Sequence, residues 1–206
     1  MNNINFNYHS KQDLAVIFTA KAGCTIVNKM FFEQEGLLEE ALKFSDWIHH
    51  YRSKYINNPE IEKIRHESIS SETRWIQFTV NPYRRAVSSY IHCCKHSKAC
   101  LGVNEYNKSF RHFLKDIFNK KFNNTHFTSQ VFSLYEEKDI EYIKLENLNE
   151  MLPYINKRYN LNYKLKDSCH HAKNKFNLNK NIKEFVGNIA WNELKENLPT
   201  NYSYFY

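Results

Sequence analysis

Residues 14–19 read LAVIFT, an uncharged run of β-branched, aromatic and aliphatic side chains. Such a run suits a strand buried on both faces, the position of a central strand in a parallel sheet. A parallel partner needs a crossover, and the next residues supply its start. A short turn, Lys21-Ala22-Gly23-Cys24, leads into helical spacing from about Thr25, with Ile26, Val27, Met30 and Phe31 on the inner side and Gly36 near the end. An apolar strand followed at once by a helix points to an α/β chain.

The pattern recurs. RWIQFTV (74–80) predicts a second core strand, broken by Asn81-Pro82 ahead of a helix through Tyr83, Ala86, Val87 and Tyr90. IEYIKL (140–145) predicts a third strand, followed by a helix over 147–158. Between these, apolar residues from Leu37 to Tyr55 recur at spacings near three and four and predict one long amphipathic helix, stopped by Asn57-Asn58-Pro59. Phe110, Phe113, Leu114, Ile117 and Phe118 form a short helix face, and Ile182 to Leu194 a last one. The expected fold is a parallel α/β sheet flanked by helices, opening with a P-loop-like strand–turn–helix, with ligands at the carboxyl ends of the strands. There is no internal repeat or clear linker, and the Asn/Lys-rich stretch 173–183 is expected to be a loop. The 206 residues suit one domain, 1–206, with room for a subdomain.

Lys and Arg outnumber Asp and Glu by 29 to 22, a formal charge of +7 that favours an anionic ligand. The N-terminal stretch lacks a basic region followed by an apolar one, and no run of about 18 apolar residues occurs. Five cysteines, an odd number at irregular spacing, make a poor disulfide framework. Reduced thiols, no transmembrane segment and a cytoplasmic location are therefore expected.

The turn at 21–25 has the chemistry of an anion cradle. Backbone N–H groups project from the helix start, Gly23 lets the backbone approach a phosphate, Thr25 can cap the helix and offer its hydroxyl, and Lys21 supplies a mobile charge. The Walker pattern is absent, because the lysine precedes the only glycine. A βα turn with a solvated lysine has the same local sequence, so the turn needs a second motif beside it.

That motif is VNPYRRAVSSY (80–90), again at a strand-to-helix junction, with Arg84, Arg85 and Ser88 placed for a second phosphate. Together the two stretches resemble the PAPS-dependent sulfotransferases, particularly the carbohydrate (membrane-type) superfamily, with its PKxGxT loop and RxPxxRxxSxY segment. THFTSQ (125–130) and IEYIKLENLNEML (140–152) resemble two further family segments, in the same order. The resemblance implies PAPS as sulfuryl donor, adenosine 3′,5′-bisphosphate as product, no metal, and a hydroxyl or amine of a carbohydrate as acceptor. It assigns Lys21, Ala22, Gly23, Cys24 and Thr25 to the 5′ end of the donor and Ser88, with Arg84 or Arg85, to the 3′-phosphate. The chain departs from the pattern at Val80, where the family has arginine, and at Ala20, where it has proline.

Sulfuryl transfer in line from donor to acceptor is carried mainly by positioning and charge stabilisation, which Lys21 and the turn amides can supply. The acceptor proton needs a base, for which His126 and His92 are the candidates; Glu146, closing the third strand, can orient a histidine or cap the next helix. Loops at 97–109, 119–130 and 165–180 are expected to choose the acceptor.

Two other classes compete. HCCKHSKAC (92–100) puts His92, His96 and Cys100 at helical spacing i, i+4, i+8, a zinc module if Cys169 or His170 completed it; without CxxC or HExxH spacing, buried thiols and exposed histidines are expected instead. A nucleotide- or nucleic-acid-binding protein without transferase activity would also use the positive charge and stack bases on Tyr and Phe, but most of these fall on apolar helix faces, where core packing accounts for them, and no nucleic-acid partner is expected.

Overall fold

The structure, a computed structural model, describes residues 6–119, 126 and 139–165. The expected last helix over 182–194, the stretch 173–183, Cys169 and His170 lie outside the described residues. Contacts group the chain into two compact units, the first drawing on Met1–Thr79 and Ser133–His171, the second on Val80–Phe132 and Ala172–Tyr206.

The first unit is built on a four-stranded sheet in the order β1 (Phe6–His9), β2 (Leu14–Phe18), β3 (Arg74–Thr79), β4 (Ile140–Lys144). β2, β3 and β4 run parallel, with Leu14 opposite Arg74 and Trp75 opposite Ile140. All of β2 is buried, as is β3 from Trp75 to Thr79, the continuous burial of strands covered on both faces. Alternate residues Leu14, Val16 and Phe18 join Ile76, Phe78 and Ile143 in one apolar cluster with α1 (Cys24–Gln34) and α8 (Leu148–Tyr159). Burying side chains of this size contributes about 1.5–3 kcal/mol each.

β1 departs from the expected all-parallel sheet. It pairs antiparallel with β2, Phe6 opposite Ile17 and His9 opposite Leu14, although its alternate residues Asn7 and His9 are polar and buried. Each is answered by a distant side chain: Asn7 Nδ2 donates to Asn28 Oδ1 at 3.2 Å, while His9 meets Glu35 through Nδ1 and the Tyr163 hydroxyl through Nε2 at 2.7 Å. Hydrogen bonds of this kind offset much of the penalty that buried polar groups otherwise carry, although Asn7 Oδ1 has no hydrogen-bond partner among the described residues.

The long helix expected from Leu37 to Tyr55 is two, α2 (Leu38–Phe44) and α3 (Ile48–Ile56). Ser45 is extended and its Oγ accepts from the Trp47 amide at 3.1 Å, a local bond that competes with helix continuation. The apolar pattern survives the break, since Ala41, Ile48 and Tyr51 still pack on Phe31 and Phe32. Asn57-Asn58-Pro59 does end α3, and it also begins α4 (Pro59–Glu67): Asn58 Oδ1 accepts from the Glu60 amide at 2.9 Å and Pro59 occupies the first helical position.

The second unit is helical among its described residues, with α5 (Pro82–Lys95), α6 (Ser97–Leu101) and α7 (Phe110–Phe118). Val87, Cys93, Cys100, Leu101, Phe110 and Phe113 lie in its core. Cys24, Cys93, Cys94 and Cys100 are free thiols. Among the described residues no helix is long and apolar enough to cross a membrane.

Candidate functional site

At the carboxyl end of β2 the chain tightens. The Ala22 amide donates to the Thr19 carbonyl at 3.1 Å, and both Lys21 (φ 63°) and Gly23 (φ 75°) are left-handed. Gly23, not Thr25, is the N-cap of α1, and its carbonyl accepts the first helical bond, from the Val27 amide at 3.0 Å. A Cβ at Gly23 would stand 2.2 Å from Leu145 Cδ1, so the turn closes against the residue that follows β4. The first-turn amides Cys24, Thr25 and Ile26 have no acceptor within the helix and carry its positive dipole end.

The Thr25 hydroxyl, expected as a cap, meets a different partner. His49 Nε2 lies 3.2 Å from Thr25 Oγ1 and 3.6 Å from Cys24 Sγ. One turn further along α3, the Arg52 guanidinium stacks over the Phe18 ring at 5.1 Å; burial lowers its pKa, and the neighbouring Cys24 acts in the opposite sense. Lys21, Thr25, His49 and Arg52 thus gather two cations, a hydroxyl and an imidazole around one helix start. His49 and Arg52 belong to no motif; their only trace in the sequence is that they flank Ile48 and Tyr51, which face the core.

Glu146 is exposed in a short 3₁₀ turn, Leu145–Asn147, just past β4 and ahead of α8. β4 therefore ends at Lys144, and Glu146 does not itself close the strand.

In the second unit, Asn81 opens α5, its carbonyl accepting from the Arg85 amide at 3.0 Å and its Oδ1 from the Arg84 amide at 3.2 Å. The two arginines differ: Arg85 is 3% exposed, whereas Arg84 and Ser88, one turn apart, are half-buried. Val80 is half-buried as well.

The histidines are sorted differently from their spacing. α5 stops at Lys95, and His96, at φ −128° and ψ 42°, turns the chain into α6. His96 is exposed with its ring centroid 4.7 Å from that of His92. His92 instead meets His126, ring centroids 4.6 Å apart, and a ligand atom from each of His92, Cys100 and His126 lies within 4.8 Å of the others. The two expected base candidates are thus neighbours, beside a thiol.

A cleft of about 800 Å³ opens at the other end of the sheet, lined by Arg74, Asp139, Glu141, Tyr154 and Arg158. Ligands of parallel α/β sheets collect at the carboxyl ends of the strands, and Arg158 here is paired with Glu141 at 2.9 Å, so the Lys21 turn is the better candidate site.

No protein-family model, curated protein or solved structure matches the chain.

Proposed function

We propose that the chain is a PAPS-dependent sulfotransferase acting on a carbohydrate hydroxyl, with a P-loop-like turn as donor site. The observation that carries this reading is the Lys21–Thr25 turn: two left-handed residues at the carboxyl end of a buried parallel strand, ahead of a helix start flanked by Arg52 and His49. Such a start binds a phosphate or sulfate through its amides and dipole.

In the proposed reaction the acceptor oxygen attacks sulfur in line, the bond from sulfur to the bridging phosphate oxygen breaks, and adenosine 3′,5′-bisphosphate departs. Lys21 stabilises the charge that grows on the bridging and sulfuryl oxygens. The acceptor proton passes to a neutral histidine, and His49, whose Nε2 lies 3.2 Å from Thr25 Oγ1, stands at the donor turn. The resemblance assigns the 3′-phosphate to Ser88, with Arg84 or Arg85. The reading includes a cytoplasmic setting in which the thiols stay reduced, and no nucleic-acid partner.

The test is donor binding and transfer. Adenosine 3′,5′-bisphosphate should stabilise the protein against heat without added metal, by an amount that grows with ligand concentration. Labelled PAPS should donate to a glycan panel, and Lys21→Ala should abolish transfer while leaving thermal stability within about 0.5 kcal/mol of the parent, as befits a turn residue. No nucleotide-dependent stabilisation would end the proposal.

A further inference from the structure

We propose that His92, Cys100 and His126 form a zinc-binding site in the second unit. The site is built wholly from residues of that unit and does not depend on the donor turn.

Three segments converge. His92 comes from the last turn of α5, Cys100 from α6 after the chain has turned at His96, and His126 from a backbone position that Ser89 ties down, its hydroxyl donating to the His126 carbonyl at 3.0 Å. Had the helix continued through His96, that residue would share a face with His92 and Cys100. The break leaves His96 in solvent, keeps Cys100 buried at 6% exposure, and gives the third position to His126.

Two imidazoles and a thiol are the donor types zinc favours. In a four-coordinate site, Zn–N bonds of about 2.0–2.1 Å and a Zn–S bond of about 2.3 Å set neighbouring ligand atoms roughly 3.3–3.7 Å apart. The ligand atoms here already lie within 4.8 Å of one another, so they need close by at most ~1.5 Å, a displacement that side-chain rotation supplies. The rings of His92 and His126 lie in a tilted stack, centroids 4.6 Å apart and 32° between planes, which brings the two imidazoles to one side of the site. On binding, the Cys100 sulfur gives up its proton to solvent and its electron pair to zinc. Among the described residues three protein ligands are present, the number that catalytic zinc sites hold alongside an exchangeable fourth position. His126 in this state is a ligand and cannot serve as a base.

Metal-free protein, prepared with a chelator under reducing conditions and titrated with Co(II) in place of zinc, should show the visible bands of four-coordinate cobalt and a near-ultraviolet thiolate-to-cobalt band, both displaced by one equivalent of zinc. Cys100→Ser should remove the thiolate band, and His92→Ala or His126→Ala should weaken cobalt binding at least tenfold, whereas His96→Ala should leave it unchanged. As a check that needs no variant, zinc should slow alkylation of Cys100 at least tenfold, read peptide by peptide. Absence of the thiolate band in the parent, its persistence in Cys100→Ser, a loss confined to His96→Ala, or Cys100 alkylation indifferent to zinc would each overturn the proposal. Because the titration contains no nucleotide, its failure leaves the donor reading standing, and the reverse also holds.

Discussion

His49 Nε2 stands 3.2 Å from Thr25 Oγ1, so α3 delivers an imidazole to the second residue of the helix that starts at the Lys21 turn. If that imidazole takes the acceptor proton, His49→Ala should lower turnover by about 10²–10⁴ while donor affinity is kept. His126→Ala should leave turnover within a few fold. Steady-state kinetics with calorimetric donor binding separates the two, and the opposite ranking would return the base to His126.

Gly23 should resist substitution for two reasons that can be separated. An alanine at φ 75° costs about 1–2 kcal/mol, and its methyl would displace Leu145. Gly23→Ala should therefore lower unfolding free energy by about 1–3 kcal/mol. Leu145→Ala in the same chain makes room for the methyl, so the paired losses should fall short of their sum, measured by urea unfolding of the four proteins of the cycle.

Arg84 and Arg85 should part company. Arg84→Ala should weaken adenosine 3′,5′-bisphosphate binding by about 1.5–3 kcal/mol, the worth of a hydrogen bond to a charged group, with little change in stability. Arg85→Ala, deep in the second unit, should chiefly lower the melting temperature. Val80→Arg should tighten binding if its side chain reaches the 3′-phosphate; equal affinity would mean that Arg84 already fills that role.

Tyr8 and Tyr159 predict alkaline sensitivity. Burial, and then donation to Asp13 at 2.8 Å and to Glu141 at 2.6 Å respectively, raises both hydroxyls to a pKa of about 12. Their pKa is higher folded than unfolded, so their stabilisation is complete below about pH 10 and is lost as pH rises from there through about 12. Tyr159→Phe should make that decline shallower in unfolding measured between pH 9 and 11, a range set by ordinary tyrosine titration near pH ~10.

β2, β3 and β4 were legible because each is an apolar run or close to one, and α1, α5, α7 and α8 because their inner faces repeat at helical spacing. β1 was not, since Asn7 and His9 are made tolerable inside by Asn28, Glu35 and Tyr163, partners far along the chain. The turn at 21–25 was visible as a candidate anion cradle. His49 and Arg52 were not, because only the docking of α3 brings them there. His92, His96 and Cys100 share one face only on a helix that runs unbroken past Lys95; the backbone of His96 ends it, and spacing alone carries no sign of that.

The parallel pairing of β3 with β4 has a cost during synthesis. The first unit takes β3 from before residues 80–132 of the second unit and β4 from after them, so β3 emerges from the ribosome with one edge unpaired while residues 80–139 are still being made. At about 5–20 residues per second that interval lasts several seconds, and an open apolar strand edge recruits other chains. The nascent protein is therefore most prone to aggregate before Ile140 appears, and chaperone demand should concentrate in that window.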